Sequence, residues 1–283
     1  MRIMGLSRTR LVTRFGGLAE GWLDGLDALI DELAGQWRLR PVEQLPAGAT
    51  SVVLLCETDK AHAVLKLTPD PGIARQEELA LRAWARTRYS VDLLDADIEH
   101  GALLLEWLPQ AHRLMDTEWS LDEVIPLLTE LRVPGMGGIP TLTERTELIF
   151  DLTGRRARLP EDLLARSRAA ARALTVGGHS GLVHGDLHLG NVLRTTRGPV
   201  AIDPRPCLGD QTFDLVDWVL TGVLDETEAR QRVAELVKRV PDVDRDRLWA
   251  WCEALAIVLA ATPLTHDPHD PHGRFLLGLA ALV

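Results

Sequence analysis

Hydrophobic positions in residues 18–37 recur at helical spacing: Leu18, Trp22, Leu26, Leu29, Leu33 and Trp37 form one stripe and predict an amphipathic helix. The period then shortens. Residues 51–57 and 61–67 are apolar runs separated by Thr58-Asp59-Lys60, a pattern that predicts a β-hairpin. Pro69, Pro71 and Gly72 break the chain. From residue 73 to residue 88 a helical period returns, with Leu79, Ala83 and Trp84 on one side and Arg75, Glu78 and Arg82 on the other. Residues 91–94 and 102–108 are short apolar segments bounded by polar turns and predict two further strands. Beyond Pro109 the pattern is mostly helical, over 121–131, 142–152, 161–174, 213–224, 226–237 and 245–261. A Gly/Pro loop at 133–140 and a short β segment at 192–202 interrupt it. Strands with one inserted helix, followed by helices, imply an α+β fold of two lobes. Residues 1–108 would form an N-terminal helix and a small antiparallel-sheet lobe, and 109–283 a larger helical lobe. There is no internal repeat and no low-complexity tract.

Composition narrows the function classes. Of 283 residues 46% are hydrophobic, enough for a sizeable core. The net charge of −10, from 31 basic and 41 acidic residues, disfavours nucleic acid or an anionic membrane as partner and suits a cationic ligand. Cys56, Cys207 and Cys252 match no metal-ligand spacing and fit a reducing compartment. The first fifteen residues carry Arg2, Arg8, Arg10 and Arg14 without a signal-peptide core. The best apolar run, residues 254–261, is half the length needed to cross a bilayer. These features predict a soluble cytoplasmic protein.

The chemistry concentrates in His184-Gly-Asp186-Leu-His188-Leu-Gly-Asn191, followed by two apolar strands around a turn and then Asp203. Asp186 and Asn191 lie on a loop entering one strand, and Asp203 lies where the second ends. Pairing those strands gathers three oxygen-bearing side chains at one edge. A carboxylate and an amide oxygen are hard ligands of the kind Mg²⁺ prefers, with phosphates completing the shell. A separate carboxylate can take a proton from a hydroxyl. Those are the parts that phosphoryl transfer requires.

The order His-Gly-Asp-x-His-x-x-Asn, then Ile-Asp-Pro, resembles the catalytic and metal-binding motifs of the aminoglycoside phosphotransferase family, relatives of the protein kinases. The resemblance runs in order over residues 45–220. It implies a protein-kinase-like fold with a hinge near Pro109, Asp186 as catalytic base, Asn191 and Asp203 as Mg²⁺ ligands, and His188 as a loop support. It also implies an ATP-binding first lobe. Lys66, ending Ala63-Val-Leu-Lys66, would contact the α/β-phosphates, and Val64, on the same face by strand alternation, would cover adenine. Glu77 and Glu78 are both candidate partners of Lys66; Glu77 fits the spacing better. Glu106 and Leu108 would meet adenine through their backbones, and the loop holding Gly48 and Ser51 would cover the phosphates. The motifs do not separate ATP from GTP.

Taken singly, each of these residues has an ordinary explanation: a solvated strand end, an exposed helix charge, a turn. Their order and intervals together favour a kinase. A metal-dependent hydrolase using His184, Asp186 and His188 is the alternative from another class, and it leaves Lys66 and Asn191 unexplained. A scaffolding pseudokinase conflicts with the presence of base, metal ligands and lysine. His266, His269 and His272 are separated by Pro268 and Pro271, which predicts a surface loop rather than a metal site.

For the acceptor, residues 75–107, with Leu81-Arg-Ala-Trp84 and Gly101-Ala-Leu-Leu-Leu-Glu106, most resemble the streptomycin and hydroxyurea kinase branch. A cationic aminoglycoside needs carboxylates, and Asp210, Asp217, Asp225, Glu226 and Glu253 are available, with Asp217 and Glu253 the leading candidates. Asp214 matches a structural position of the family. Choline, homoserine, macrolide and fructosamine kinases share the catalytic motifs, so these motifs specify a hydroxyl acceptor without naming it. They are equally silent on oligomeric state.

Overall fold

In the computed structural model, residues 5–283 are described, so Arg2 lies outside the described residues. The chain forms two compact units, one holding the chain up to Arg86 with Ser90–Gln110, the other Thr87–Tyr89 with Ala111–Val283.

The first unit begins with helices α1 (Gly5–Phe15) and α2 (Gly17–Trp37). Its antiparallel sheet has strands β1 (Arg40–Leu45), β2 (Val52–Glu57), β3 (His62–Leu67), β4 (Leu93–Asp97) and β5 (Ala102–Glu106), in the order β1-β2-β3-β5-β4. Alternation assigns the faces. Val52, Leu54 and Cys56 of β2 and Ala63, Leu65 and Leu67 of β3 share one core cluster with Leu23, Leu26, Ile30 and Leu33 of α2. Val64 and Lys66 therefore point the other way, toward the side taken by helix α3 (Pro71–Ala83). Coverage from both sides explains why Ala102, Leu103, Leu104 and Leu105 are buried in succession.

Several boundaries move for identifiable reasons. Helix α3 stops at Ala83 rather than residue 88, because Trp84 leaves helical geometry at ψ 2°. The strand expected at 91–94 is shifted to Leu93–Asp97, an edge strand with the acidic residues that blunt a free edge. β1 is also an edge strand and, with Pro41 in it, carries no clear alternation.

The second unit holds helices α4 (Leu121–Glu130), α5 (Leu142–Arg156), α6 (Glu161–Leu174), α7 (Val216–Leu220), α8 (Glu226–Arg239), α9 (Arg245–His266) and α10 (Pro271–Ala280). Two small sheets sit among them. One is β6 (His112–Arg113), β8 (Val192–Thr195) and β9 (Gly198–Ala201); the other pairs β7 (Ser180–Val183) with β10 (Cys207–Asp210). The helix expected over 213–224 divides into a 3-10 turn, Gln211–Leu215, and the short α7. Pro271 does not break the chain but starts α10, at a position where its missing N–H costs nothing, behind an Asp270 cap. The expected surface loop at 266–272 is accordingly a tight turn between two helices. His266 and His269 are exposed there, and His272 Nε2 lies 2.8 Å from the Leu220 carbonyl oxygen.

Helix α9 corrects the expectation that no apolar segment is long enough for a bilayer: at 22 residues it has both the length and the apolar composition. In this unit it is the central packing element, touching α5, α6, α7, α8 and α10. Trp251, Cys252, Ala254, Ala256, Ile257 and Ala260 are fully buried along it. Its first turns are tied down by Asp210, which is wholly buried. That carboxylate accepts from Arg247 Nε at 2.6 Å, Trp251 Nε1 at 2.7 Å and the Thr212 amide at 3.0 Å. Removing it strands a cation and an indole N–H. Asp210→Ala is expected to destabilise this unit by about 3–5 kcal/mol, read as a fall in its thermal midpoint on the order of 10 °C.

Candidate functional site

In the first unit, the phase of α3 selects the partner of Lys66. Asp70 caps the helix by accepting from Gly72 N at 2.9 Å, and Pro71 opens it. That start puts Ala74, Glu77, Ala80 and Leu81 on the buried face. Lys66 Nζ donates to both Glu77 oxygens at 2.6 Å, and both side chains are buried. Glu78, one residue on, is less deeply buried and pairs with Arg82 at 3.0 Å. Val64 is half-buried and lies across from Leu105 on the neighbouring strand, as Lys66 does from Leu103. Ser51 is buried at the start of β2, and Gly48 is exposed in the irregular segment before it. Glu106 ends β5 with both its amide and its carboxylate bonded to the Asp92 backbone, and Leu108 follows with its side chain buried.

The second unit builds its site at the end of the antiparallel pair β7 and β10. The Arg205 amide donates to the His184 carbonyl at 2.9 Å, and the chain then turns through Gly185 at φ +74°. A Cβ there would stand 2.1 Å from the Arg205 carbonyl oxygen, so only glycine fits between His184 and Asp186. Asp214 fastens the turn from below, accepting from His184 N at 2.6 Å and Gly185 N at 2.9 Å. Burial pushes its carboxyl up to about 7, although those two amides pull it down. The His184 ring is enclosed, and burial drives it down to about 3, so it stays neutral.

Asp186 emerges from this turn. Asn191 Nδ2 donates to its carbonyl at 2.9 Å and to its Oδ2 at 3.0 Å. Arg145, from α5, donates through Nε to the Gly185 carbonyl at 2.9 Å and reaches Asp186 Oδ1 at 3.3 Å. His188 Nδ1 accepts from the Gly190 amide at 3.0 Å, bracing the loop. The Ile202 amide donates to the Asn191 carbonyl at 2.9 Å, which brings Asp203 beside Asn191. Asp203 has φ +58°, unusual for a side-chain-bearing residue, and its Oδ1 lies 3.3 Å from an Arg205 guanidinium nitrogen. Among the described residues no three His, Cys, Asp or Glu side chains group to hold a metal ion, so the hydrolase alternative finds no ligand cluster to rest on.

Beside Asp186 opens a cavity of about 160 Å³. Arg145, His188 and Asp217 supply polar groups to its wall, and Phe213, Leu255, Val258 and Leu259 contribute to its apolar part. Asp217 is raised to about 6, first by burial, with His188 opposing and the Asp186 charge adding to the rise. Of the five carboxylates expected to be available, Asp217 alone lines this cavity. Asp210 is committed to Arg247 and Trp251; Asp225 caps α8; Glu226 pairs with Arg230 at 2.6 Å. Glu253 accepts from Trp249 Nε1 at 2.6 Å and does not line the cavity, so its expected acceptor contact finds no support there. Arg145 escaped the sequence reading because it lies 41 residues before Asp186 on a helix with no motif around it.

Residues 36–266 match the family described as aminoglycoside/hydroxyurea antibiotic resistance kinase. The chain is 35% identical over 253 residues to a hydroxyurea phosphotransferase from Kitasatospora aureofaciens, covering 84% of this chain and 73% of that one. It is 32% identical over 260 residues to a streptomycin 6-kinase from Streptomyces glaucescens, covering 84% and 82%. The fold matches the choline kinase LicA from Streptococcus pneumoniae with a TM-score of 0.66 at 16% identity, over 90% of this chain and 99% of that one. A macrolide 2'-phosphotransferase from Brachybacterium faecium matches with a TM-score of 0.54 at 17% identity, over 90% and 97%. The two-unit α+β architecture is thus the kinase-like fold that the sequence predicts, and the chain belongs to the aminoglycoside/hydroxyurea antibiotic resistance kinase family, as a phosphotransferase acting on a small molecule.

Proposed function

We propose that this protein transfers the γ-phosphoryl group of ATP to a hydroxyl of a small acceptor, with Asp186 receiving the hydroxyl proton. The observation that carries this reading is the Asp186 carboxylate, held by Arg145 and Asn191 at the wall of a cavity. A carboxylate oriented from both sides keeps lone pairs for a hydroxyl, and a positioned base contributes about 10²- to 10⁴-fold to such a step.

The donor atoms suit Mg²⁺. Asn191 spends its amide nitrogen on Asp186, leaving Oδ1 as the ligand atom, and Asp203 adds a carboxylate beside it. Bound Mg²⁺ would neutralise phosphate charge. In the first unit Lys66 would contact the α/β-phosphates, with Glu77 orienting it. Val64 would cover the base, Glu106 and Leu108 would bond it through their backbones, and Gly48 and Ser51 would lie over the phosphates. The same groups serve GTP.

For the acceptor, Asp217 supports a cationic molecule of the streptomycin type, whose guanidinium group it would pair with in a partly desolvated wall. A second reading has one observation in its favour. A cavity of about 160 Å³ with an apolar wall suits a small neutral hydroxyl compound such as hydroxyurea. Turnover with ATP and Mg²⁺ on streptomycin, hydroxyurea, a macrolide and choline separates the two.

Asp186→Asn is expected to lower kcat by about 10²- to 10⁴-fold with little change in the KM for ATP; turnover near wild type would remove Asp186 from the base role. Lys66→Ala is expected to raise the ATP KM, lower kcat, or both, and Glu77→Ala to do so more mildly, in the same steady-state assay. The Asp217 carboxyl is ionised above about pH 6 and protonated below. A cationic acceptor therefore loses its partner as pH falls through that value, and the KM for streptomycin should climb by up to about tenfold per pH unit. Asp217→Asn should flatten that dependence, and a neutral acceptor should never display it.

A further inference from the structure

We propose that Arg145 is a positioning residue for the transfer step, setting the orientation of the Asp186 carboxylate from a helix outside every kinase motif; this rests on Asp186 being the proton acceptor.

The argument begins at the start of α5. Thr141 and Glu144 form a reciprocal cap there: Thr141 Oγ1 accepts from the Glu144 amide at 3.2 Å, and the Thr141 amide donates to Glu144 Oε2 at 2.7 Å. Leu142 then packs so closely on β10 that a Cβ at Gly209 would lie 2.5 Å from Leu142 Cβ. The Leu208 amide also donates to the Pro140 carbonyl at 2.8 Å. The first turn of α5 is thus fixed to the strand pair that carries the His184–Asp186 turn, and Arg145 is its fourth residue.

From that anchorage the guanidinium makes two different bonds. Its Nε holds the Gly185 carbonyl, and a terminal nitrogen reaches Asp186 Oδ1. One planar group therefore grips both the turn and the carboxylate leaving it, which a single ammonium cannot do with the same geometry. Asn191 holds the other carboxylate oxygen. With one donor on each oxygen, rotation of the carboxylate out of plane breaks at least one bond. The Arg145 side chain is only 14% exposed, and it is the one arginine or lysine in the cavity wall. Burial lowers the Arg145 pKa, and the neighbouring Asp186 charge opposes that fall.

The test is a double-mutant cycle on the full chain. ADP release is measured with ATP and Mg²⁺ on whichever of streptomycin, hydroxyurea, a macrolide or choline gives the highest wild-type turnover, or on water where none is turned over. Arg145→Lys, which keeps the charge, and Arg145→Gln, which removes it, should each lower kcat by about 10- to 100-fold. The KM for ATP should stay within about twofold, which also reports that the variants are folded. Because Arg145 acts through Asp186, the double variant Arg145→Gln/Asp186→Asn should be no slower than Asp186→Asn alone. Unchanged kcat in both Arg145 variants, or losses that multiply in the double variant, would overturn the positioning role while Asp186 keeps its own. A rise confined to the acceptor KM would instead make Arg145 an acceptor contact and equally end the proposal. Wild-type turnover in Asp186→Asn would bring down the underlying reading, a result distinct from all of these.

Discussion

The second unit's chemistry hangs on one half-buried carboxylate at the cavity wall that accepts from two consecutive backbone amides. Asp214 accepts from His184 and Gly185 in consecutive positions, and that pair of bonds holds a glycine turn too tight for any side chain. Partial withdrawal of a carboxylate from water is costly, and the rise of its carboxyl to about 7 registers that cost. The return is rigidity at the residue that follows. Asp186 leaves the turn in one direction only, and Asn191, Arg145 and the Ile202–Asp203 segment are arranged around that direction.

The first unit solves a related problem with an ion pair. Lys66 sits on the sheet face turned away from the α2 core, where a lone ammonium in so little water would be strongly disfavoured. Glu77 offsets the desolvation with both oxygens at 2.6 Å. Such a pair adds little net stability, and its value lies in geometry: the lysine is fixed in place. The helix cap at Asp70 decides which of two adjacent glutamates does this, so the local rule that starts a helix also sets the charge pairing seven residues later.

What was legible in the sequence followed from how local the physics is. The His184–Asn191 loop, the β8–β9 hairpin and the alternation that turns Lys66 away from Leu65 are short-range patterns, and they could be read directly. Helix α10 was hidden by Pro271, read as a break although it occupies a first turn, and edge strand β1, with Pro41 in it, carries no clear alternation. Arg145 was invisible because nothing near it in the chain announces a partner 41 residues away. Carboxylates posed the opposite difficulty. Five acids were available, with Asp217 and Glu253 leading, yet a helix cap claims Asp225, arginines claim Asp210 and Glu226, and an indole N–H claims Glu253; only tertiary packing shows that Asp217 remains at the cavity.

Helix α9 serves two purposes along one length, and the division has a consequence for how this enzyme can change. Leu255, Val258 and Leu259 all contribute to the cavity wall, but Leu255 is buried in the core while Val258 and Leu259 are half-exposed. Altering the volume of Leu255 disturbs the packing of a helix that five others lean on. Val258 and Leu259 are less completely buried, so altering them reshapes the wall at a smaller cost to that packing. On the proposed reading of the cavity as the acceptor pocket, those two positions are where the acceptor range can drift under selection with the least resistance from the fold.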